Sequence, residues 1–209
     1  MKNNNTFQLF VITQPEFFEE EEKSILKLFD IGVSGVYLRK EKYSAEYIID
    51  ILKKIDRKFH HKLIVPFCFY DENNFKELNF IIHFKEKERT FENLSKMPSD
   101  VILSTSIHDL SEWGKLSDNF KFAFFSPVFE SISKPNYKPK ISIEILTDQI
   151  KDYRKKQKKL TKLIALGGIN EQNILDIKSA GFDGAALLGS IWKSNDPLRT
   201  FEKIKMIFE

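Results

Sequence analysis

Four short strings in this sequence carry the residue types that hold phosphate. In Ala165-Leu-Gly-Gly-Ile-Asn170, Gly167 and Gly168 close an apolar run. A backbone without Cβ can approach a ligand closely there and present its N–H groups, and a helix opening at Asn170 would add its positive end. Leu187-Leu-Gly-Ser-Ile191 sets Gly189 and Ser190 in the same way at the end of the next run. The stretch Ser126-Pro-Val-Phe-Glu-Ser-Ile-Ser-Lys134 gathers Ser131, Ser133 and Lys134. Two hydroxyl donors and an ammonium suit a diphosphate. Leu38-Arg-Lys40 offers Arg39, whose guanidinium fork can take a phosphate through two oxygens. Each string has a plain alternative: glycines serving tight turns, ordinary loop serines and lysines, or an ion pair of Arg39 with a nearby glutamate. Glycine-containing pairs at two consecutive run ends weigh towards phosphate.

Two histidines stand at comparable places. His83 ends one apolar run and His108 follows another, so either is a candidate acid or base, or simply a hydrogen-bonded ring. Cys68 is the single cysteine. It excludes a disulfide within the chain and a multi-cysteine metal site, and it reads as a buried structural thiol rather than a nucleophile.

What must position these residues is an alternation of short apolar runs with amphipathic stretches. The runs are 8–13, 35–39, 62–68, 80–84, 101–106, 122–128, 162–169 and 184–189. Helices are expected over 19–31, closed by Gly32, and over 45–59, capped by Ser44. Shorter ones are expected at 73–78, 91–97 and 110–116, and longer ones over 142–156, over 170–180 ended by Gly181, and over 197–208 started by Pro197. Eight β/α units with right-handed crossovers imply a single (β/α)8 TIM-type barrel, an α/β fold. An open doubly wound sheet is the alternative, weakened because no Gly-rich dinucleotide loop follows the first run. The barrel is expected to fill 1–209 as one domain, with 1–6 a flexible N-terminus.

Composition narrows the function classes. Thirty-three basic against 30 acidic residues leave a net charge of +3, too balanced to point to nucleic acid. The chain shows no signal peptide and no apolar stretch of membrane-spanning length, so the cytoplasm is the expected compartment. Twenty phenylalanines should mostly fill the core. The expected partners are phosphorylated small molecules; a homo-oligomer is left open.

Three strings, Phe125-Ser-Pro-Val-Phe-Glu-Ser-Ile-Ser-Lys134, Ile164-Ala-Leu-Gly-Gly-Ile-Asn170 and Ala180-Gly-Phe-Asp-Gly-Ala-Ala-Leu-Leu-Gly-Ser-Ile191, resemble the thiamine-phosphate synthase family, whose superfamily includes the thiazole tautomerases. The variant of the second-strand and sixth-strand strings resembles a branch common in Bacteroidetes. The resemblance implies a transferase of thiamine biosynthesis joining a hydroxymethylpyrimidine diphosphate to a thiazole phosphate. It assigns Arg39 and Lys134 as catalytic groups on the leaving diphosphate, with Ser131 and Ser133 beside them. It gives the thiazole phosphate to Gly168 and to Gly189 with Ser190, beside Gly167. It also implies magnesium held by carboxylates at the ends of strands three and four. Here strand three ends Val65-Pro-Phe-Cys-Phe69 and strand four His83-Phe-Lys-Glu-Lys-Glu-Arg89, with Tyr37 where the family has Gln or His. No metal ligands are assigned, and the magnesium site is read as degraded. The alternatives are a thiazole-phosphate tautomerase-like isomerase, or a non-catalytic phosphate-binding barrel that has lost its metal-binding carboxylates.

Overall fold

Eight parallel strands close on themselves in the computed structural model, which describes residues 6–71, 79–130, 138–156 and 160–208. They are β1 (Gln8–Ile12), β2 (Gly35–Tyr37), β3 (Leu63–Pro66), β4 (Ile81–Phe84), β5 (Ile102–Ile107), β6 (Phe120–Phe125), β7 (Lys162–Leu166) and β8 (Gly184–Leu187). Because β1 pairs with β8 as well as with β2, the sheet has no edge, which excludes the open doubly wound alternative. The helices outside it are α1 (Glu21–Asp30), α2 (Ala45–Lys54), α3 (Phe91–Ser95), α4 (Leu110–Trp113), α5 (Ile143–Lys156), α6 (Ile174–Ser179), α7 (Gly189–Trp192) and α8 (Pro197–Met206). The expected helix at 73–78, and all but the last residue of the expected N-terminal arm, lie outside the described residues. No helix among the described residues is long and apolar enough to cross a membrane.

Strand periodicity divides the core in two. Phe10, Tyr37, Ile64, Ile81, Phe122, Phe124 and Ile164 fill the barrel interior, whereas Leu9, Val11, Val36, Leu63 and their equivalents face the helices. Eleven phenylalanines are buried, as the composition suggests. Space for them comes from small partners: a Cβ on Gly35 would meet the Phe10 ring at 2.9 Å. On the helix side, Ile25 and Leu28 of α1 are fully buried, each worth about 1.5–3 kcal/mol relative to exposure.

Several helix ends fall where local chemistry sets them. Ser44 accepts from the Tyr47 N–H, and Asp196 accepts from Arg199 ahead of Pro197. Gly32 and Gly181 take the left-handed conformation after α1 and α6. Helix α2 stops at Lys54 rather than Phe59: His60 folds back, and its Nε2 lies 3.2 Å and 3.0 Å from the Leu52 and Ile55 carbonyls. That ring satisfies carbonyls the helix end leaves open. One ion pair was not expected. Lys40, just beyond β2, and Glu21 of α1 are fully buried with Nζ and Oε1 2.8 Å apart. Lys40 also donates to the Gln14 and Glu16 carbonyls, both at 2.7 Å, so it ties the β1–α1 loop to the end of β2.

Candidate functional site

The C-terminal ends of the strands surround one cavity, lined by Ile12, Tyr37, Arg39, Glu41, His83, Lys85, Ser106, His108, Ser126, Leu166–Ile169, Ala186, Leu188 and Gly189. This is the end of a β/α barrel where sites are built. Of the residues expected at the site, Arg39, His83, His108, Gly167, Gly168 and Gly189 meet here. Ser190 follows directly. Ser131, Ser133 and Lys134 lie outside the described residues.

The glycine half of the site depends on backbone conformation. Gly167 and Gly168 have φ values of +104° and +68°. A Cβ on Gly168 would lie 2.4 Å from the Glu130 carbonyl oxygen, so the β6 loop can pass this close only over a glycine. Two hydrogen bonds hold the loop there, Val128 N–H to Leu166 O at 3.0 Å and Phe129 N–H to Gly167 O at 3.1 Å. After β8 the chain turns at once into α7, a short helix over residues expected to end the strand. Its Ile191 and Trp192 N–H groups both bond to the Leu188 carbonyl, while those of Gly189 and Ser190 meet no carbonyl among the described residues. The Ser190 hydroxyl is buried with no partner among the described residues. Trp192 pins α7 by donating from Nε1 to the Ile12 carbonyl at 2.7 Å.

Asn170 departs from expectation. It does not cap the helix: its side chain accepts from Gln172 N–H at 2.9 Å, its own N–H goes to Asn173 Oδ1 at 2.9 Å, and α6 opens only at Ile174. An asparagine that closes a local turn competes with helix initiation. The donors near Gly168 are therefore loop amides, not a helix end.

The opposite rim carries charge. Arg39 donates its backbone N–H to Thr13 Oγ1 at 3.0 Å, and its guanidinium makes no ion pair among the described residues. Lys85, just after β4, meets Glu41, just after β2, at 2.7 Å. Neither of these two stands out in the sequence; both sit in charged runs. The only signal was position, each lying within a few residues of a strand end.

The two histidines differ. His83 is fully enclosed, with Nδ1 3.0 Å from Ser104 Oγ and Nε2 2.9 Å from Ser106 Oγ. Its ring packs against Tyr37 at 4.7 Å and Phe124 at 5.4 Å. Burial, helped by the nearby Lys85 charge, lowers its pKa to about 3, so the ring is neutral. Burial likewise pushes the Tyr37 phenol well above its ordinary range. His108 is exposed at the rim. Its Nδ1 lies 2.7 Å from the Ser126 carbonyl, which can only accept, so Nδ1 donates there. Cys68 corrects an expectation: it is exposed, because β3 ends at Pro66 and the chain turns outward through Phe67–Phe69. Partial desolvation and then the Glu88 carboxylate raise its pKa, so the thiolate is disfavoured.

The donor set does not fit a protein-held divalent cation. Among the described residues no three His, Cys, Asp or Glu side chains stand close enough to share a metal. Glu41 is the one carboxylate lining the cavity, and Lys85 engages it. Magnesium takes oxygen ligands at close range, and β3 offers it only Pro66 and an outward turn.

The sequence pattern of the thiamine monophosphate synthase family matches residues 9–191. Among solved structures, a thiamine phosphate pyrophosphorylase from Bacteroides thetaiotaomicron is 28% identical, with a TM-score of 0.76 over 96% of this chain and 97% of that one. One described as a thiamine phosphate pyrophosphorylase from Pyrococcus furiosus has the same TM-score at 17% identity, covering 98% and 96%. A 3-hexulose-6-phosphate synthase shares the fold at 12% identity, with a TM-score of 0.63 over 97% of this chain and all of that one.

Proposed function

The chain belongs to the thiamine monophosphate synthase family, and we propose that its barrel mouth joins a hydroxymethylpyrimidine diphosphate to a thiazole phosphate. One observation carries this: a single cavity has the Arg39 guanidinium, which makes no ion pair among the described residues, and the glycine amides of two neighbouring strand ends around an apolar slot. The slot is walled by Ile12, Tyr37, Leu166, Ala186 and Leu188, suited to a flat ring between two anionic groups.

The chemistry follows from that layout. The bond from the pyrimidine methylene carbon to the diphosphate oxygen breaks, and its electron pair leaves with the diphosphate. The thiazole nitrogen then gives its lone pair to that carbon, forming the new C–N bond. Such a step needs charge stabilisation on the leaving group more than it needs a base. Arg39, with Ser131, Ser133 and Lys134 of the β6 loop, serves the diphosphate. Gly167, Gly168, Gly189 and Ser190 hold the thiazole phosphate through N–H groups and a hydroxyl. The neutral His83 ring, fixed by two serines, stiffens the wall behind Tyr37 rather than moving a proton.

A second reading has its own observation. His108 stands at the cavity rim with Nδ1 donating to the Ser126 carbonyl and with no partner for Nε2 among the described residues, an imidazole of the kind an isomerase acting on a thiazole phosphate would need. One experiment separates the two. The purified chain is given both synthase substrates, and separately the thiazole phosphate tautomer alone, each with magnesium and with EDTA. Formation of thiamine phosphate with release of diphosphate is the expected result. Tautomer conversion without any coupled product would replace the transferase by the isomerase, and neither reaction would leave a phosphate-binding barrel without catalysis.

A further inference from the structure

Among the described residues between β3 and β4, none carries a basic side chain. Strand β3 finishes at Pro66 and turns away through Phe67–Phe69. Strand order puts β3 between β2 and β4. The side chains that follow those two neighbours close over it: Glu41 from beyond β2 and Lys85 from beyond β4, with Nζ and Oε2 2.7 Å apart. Both line the same cavity as Arg39. Each is partly exposed, 37% for the Lys85 side chain and 33% for Glu41, so neither is locked away from a ligand.

An ammonium has three donors. Glu41 accepts one and fixes where the nitrogen sits, leaving the others free to turn towards a ligand. A leaving diphosphate gathers negative charge as its bond to carbon breaks, and something must neutralise it. Among the described residues no carboxylate cluster stands ready for a cation, and the full positive charges lining the cavity are Arg39 and Lys85.

We propose that Lys85, positioned by Glu41 over the end of β3, neutralises the diphosphate in place of a divalent metal ion, so that the site binds diphosphate without magnesium. The proposal rests on the diphosphate reading of the site given above and says how that reading is met in this chain. The Glu41 carboxylate has a second effect. It offsets part of the Lys85 charge in the empty site, which limits repulsion between Lys85 and Arg39 until an anion arrives.

The test is calorimetric titration of inorganic diphosphate into the full chain, once in EDTA and once as preformed magnesium diphosphate. Wild type is compared with Lys85→Gln and Lys85→Arg, and urea unfolding checks that each variant is folded. The wild type should bind in EDTA, and magnesium should change its affinity less than about threefold. Lys85→Gln should lose about 10–100-fold, the range of one charge-assisted hydrogen bond. Lys85→Arg should retain most of the affinity, because it keeps the charge and the donors. If Lys85→Gln does not fold, the Lys85→Arg titration and the magnesium comparison decide alone. Wild-type binding that requires magnesium would overturn the proposal while leaving the diphosphate reading intact, and so would a folded Lys85→Gln that binds as tightly as wild type. No wild-type binding in either form would remove the diphosphate reading itself and the proposal with it.

Discussion

His83 should make the protein steadily less stable as the pH falls below neutrality, by an amount its surroundings allow to be worked out. The ring is 1% exposed, held between Ser104 and Ser106, and faces Tyr37 and Phe124. Burial, and then the Lys85 charge, lower its pKa from 6.5 to about 3. In the unfolded chain the ring accepts a proton below about pH 6.5, whereas in the folded chain it stays neutral to about pH 3. The unfolded state therefore binds more protons across this window. The contribution to stability is complete above the unfolded pKa and is lost as pH falls towards the folded one. The slope is about 1.4 kcal/mol per pH unit, or about 2–3 kcal/mol between roughly pH 6.5 and 4.5. Carboxylates protonate in the same range, so the measurement is a difference. Urea unfolding of wild type and His83→Gln is followed across this window. The variant loses packing at every pH but does not titrate, so its deficit relative to wild type should shrink by about 2–3 kcal/mol on acidification. Histidine ring shifts in NMR should show one ring that does not titrate above about pH 4 in the folded protein. A deficit independent of pH, or a His83 ring that titrates near 6.5, would refute the reasoning and return His83 to the candidates for acid–base catalysis.

Three further outcomes follow from single positions. Gly168→Ala forces a side chain into the left-handed region and against the Glu130 carbonyl. It should cost about 1–3 kcal/mol in urea unfolding and weaken binding of inorganic phosphate, and an unchanged variant would show that the loop does not lie there. Lys40→Met strands the buried Glu21 and frees two carbonyls, so it should cost about 3–5 kcal/mol, with the Glu21→Gln/Lys40→Met pair losing much less than the sum of the two singles. Additive losses would mean the two charges do not interact. Lys134→Ala should weaken diphosphate binding by about one to two decades, less at high salt, with unfolding unchanged; equal affinities would remove the β6 loop from the site.

The fold was legible because its signals are local and repeated. Each strand is a short apolar run, and caps such as Ser44, Gly32, Gly181 and Pro197 act within one turn of their own position. Misjudged ends have equally local causes that composition does not reveal. Asn170 spends its side chain on Gln172, and His60 reaches back to the Leu52 and Ile55 carbonyls. Cys68 was placed inside by extending an apolar run past Pro66, but the chain turns there and exposes it. Nothing within the run Val65-Pro-Phe-Cys-Phe69 marks that turn except the proline.

The site divides along the same line. Its glycine half is a statement about single residues: Gly167 and Gly168 need positive φ wherever the rest of the chain goes, and the sequence declares that need in their type. Its charged half is a statement about pairs. Lys40 is a surface lysine by sequence, and only the fold brings Glu21 and the Gln14 and Glu16 carbonyls around it. Lys85 and Glu41 lie 44 positions apart, just beyond strands that are not neighbours, and meet only in the closed barrel, where β3 stands between those strands. A carboxylate at the end of β3 would have belonged beside Glu41, where its charge would repel that glutamate and call for a cation. With Pro66, Phe67 and Cys68 in its place, the Glu41 carboxylate is left to a lysine from the far side of β3. The absence of acidic residues from one strand end and the ion pair closing over it are thus two aspects of one electrostatic arrangement. The sequence showed the first, and the second required the barrel.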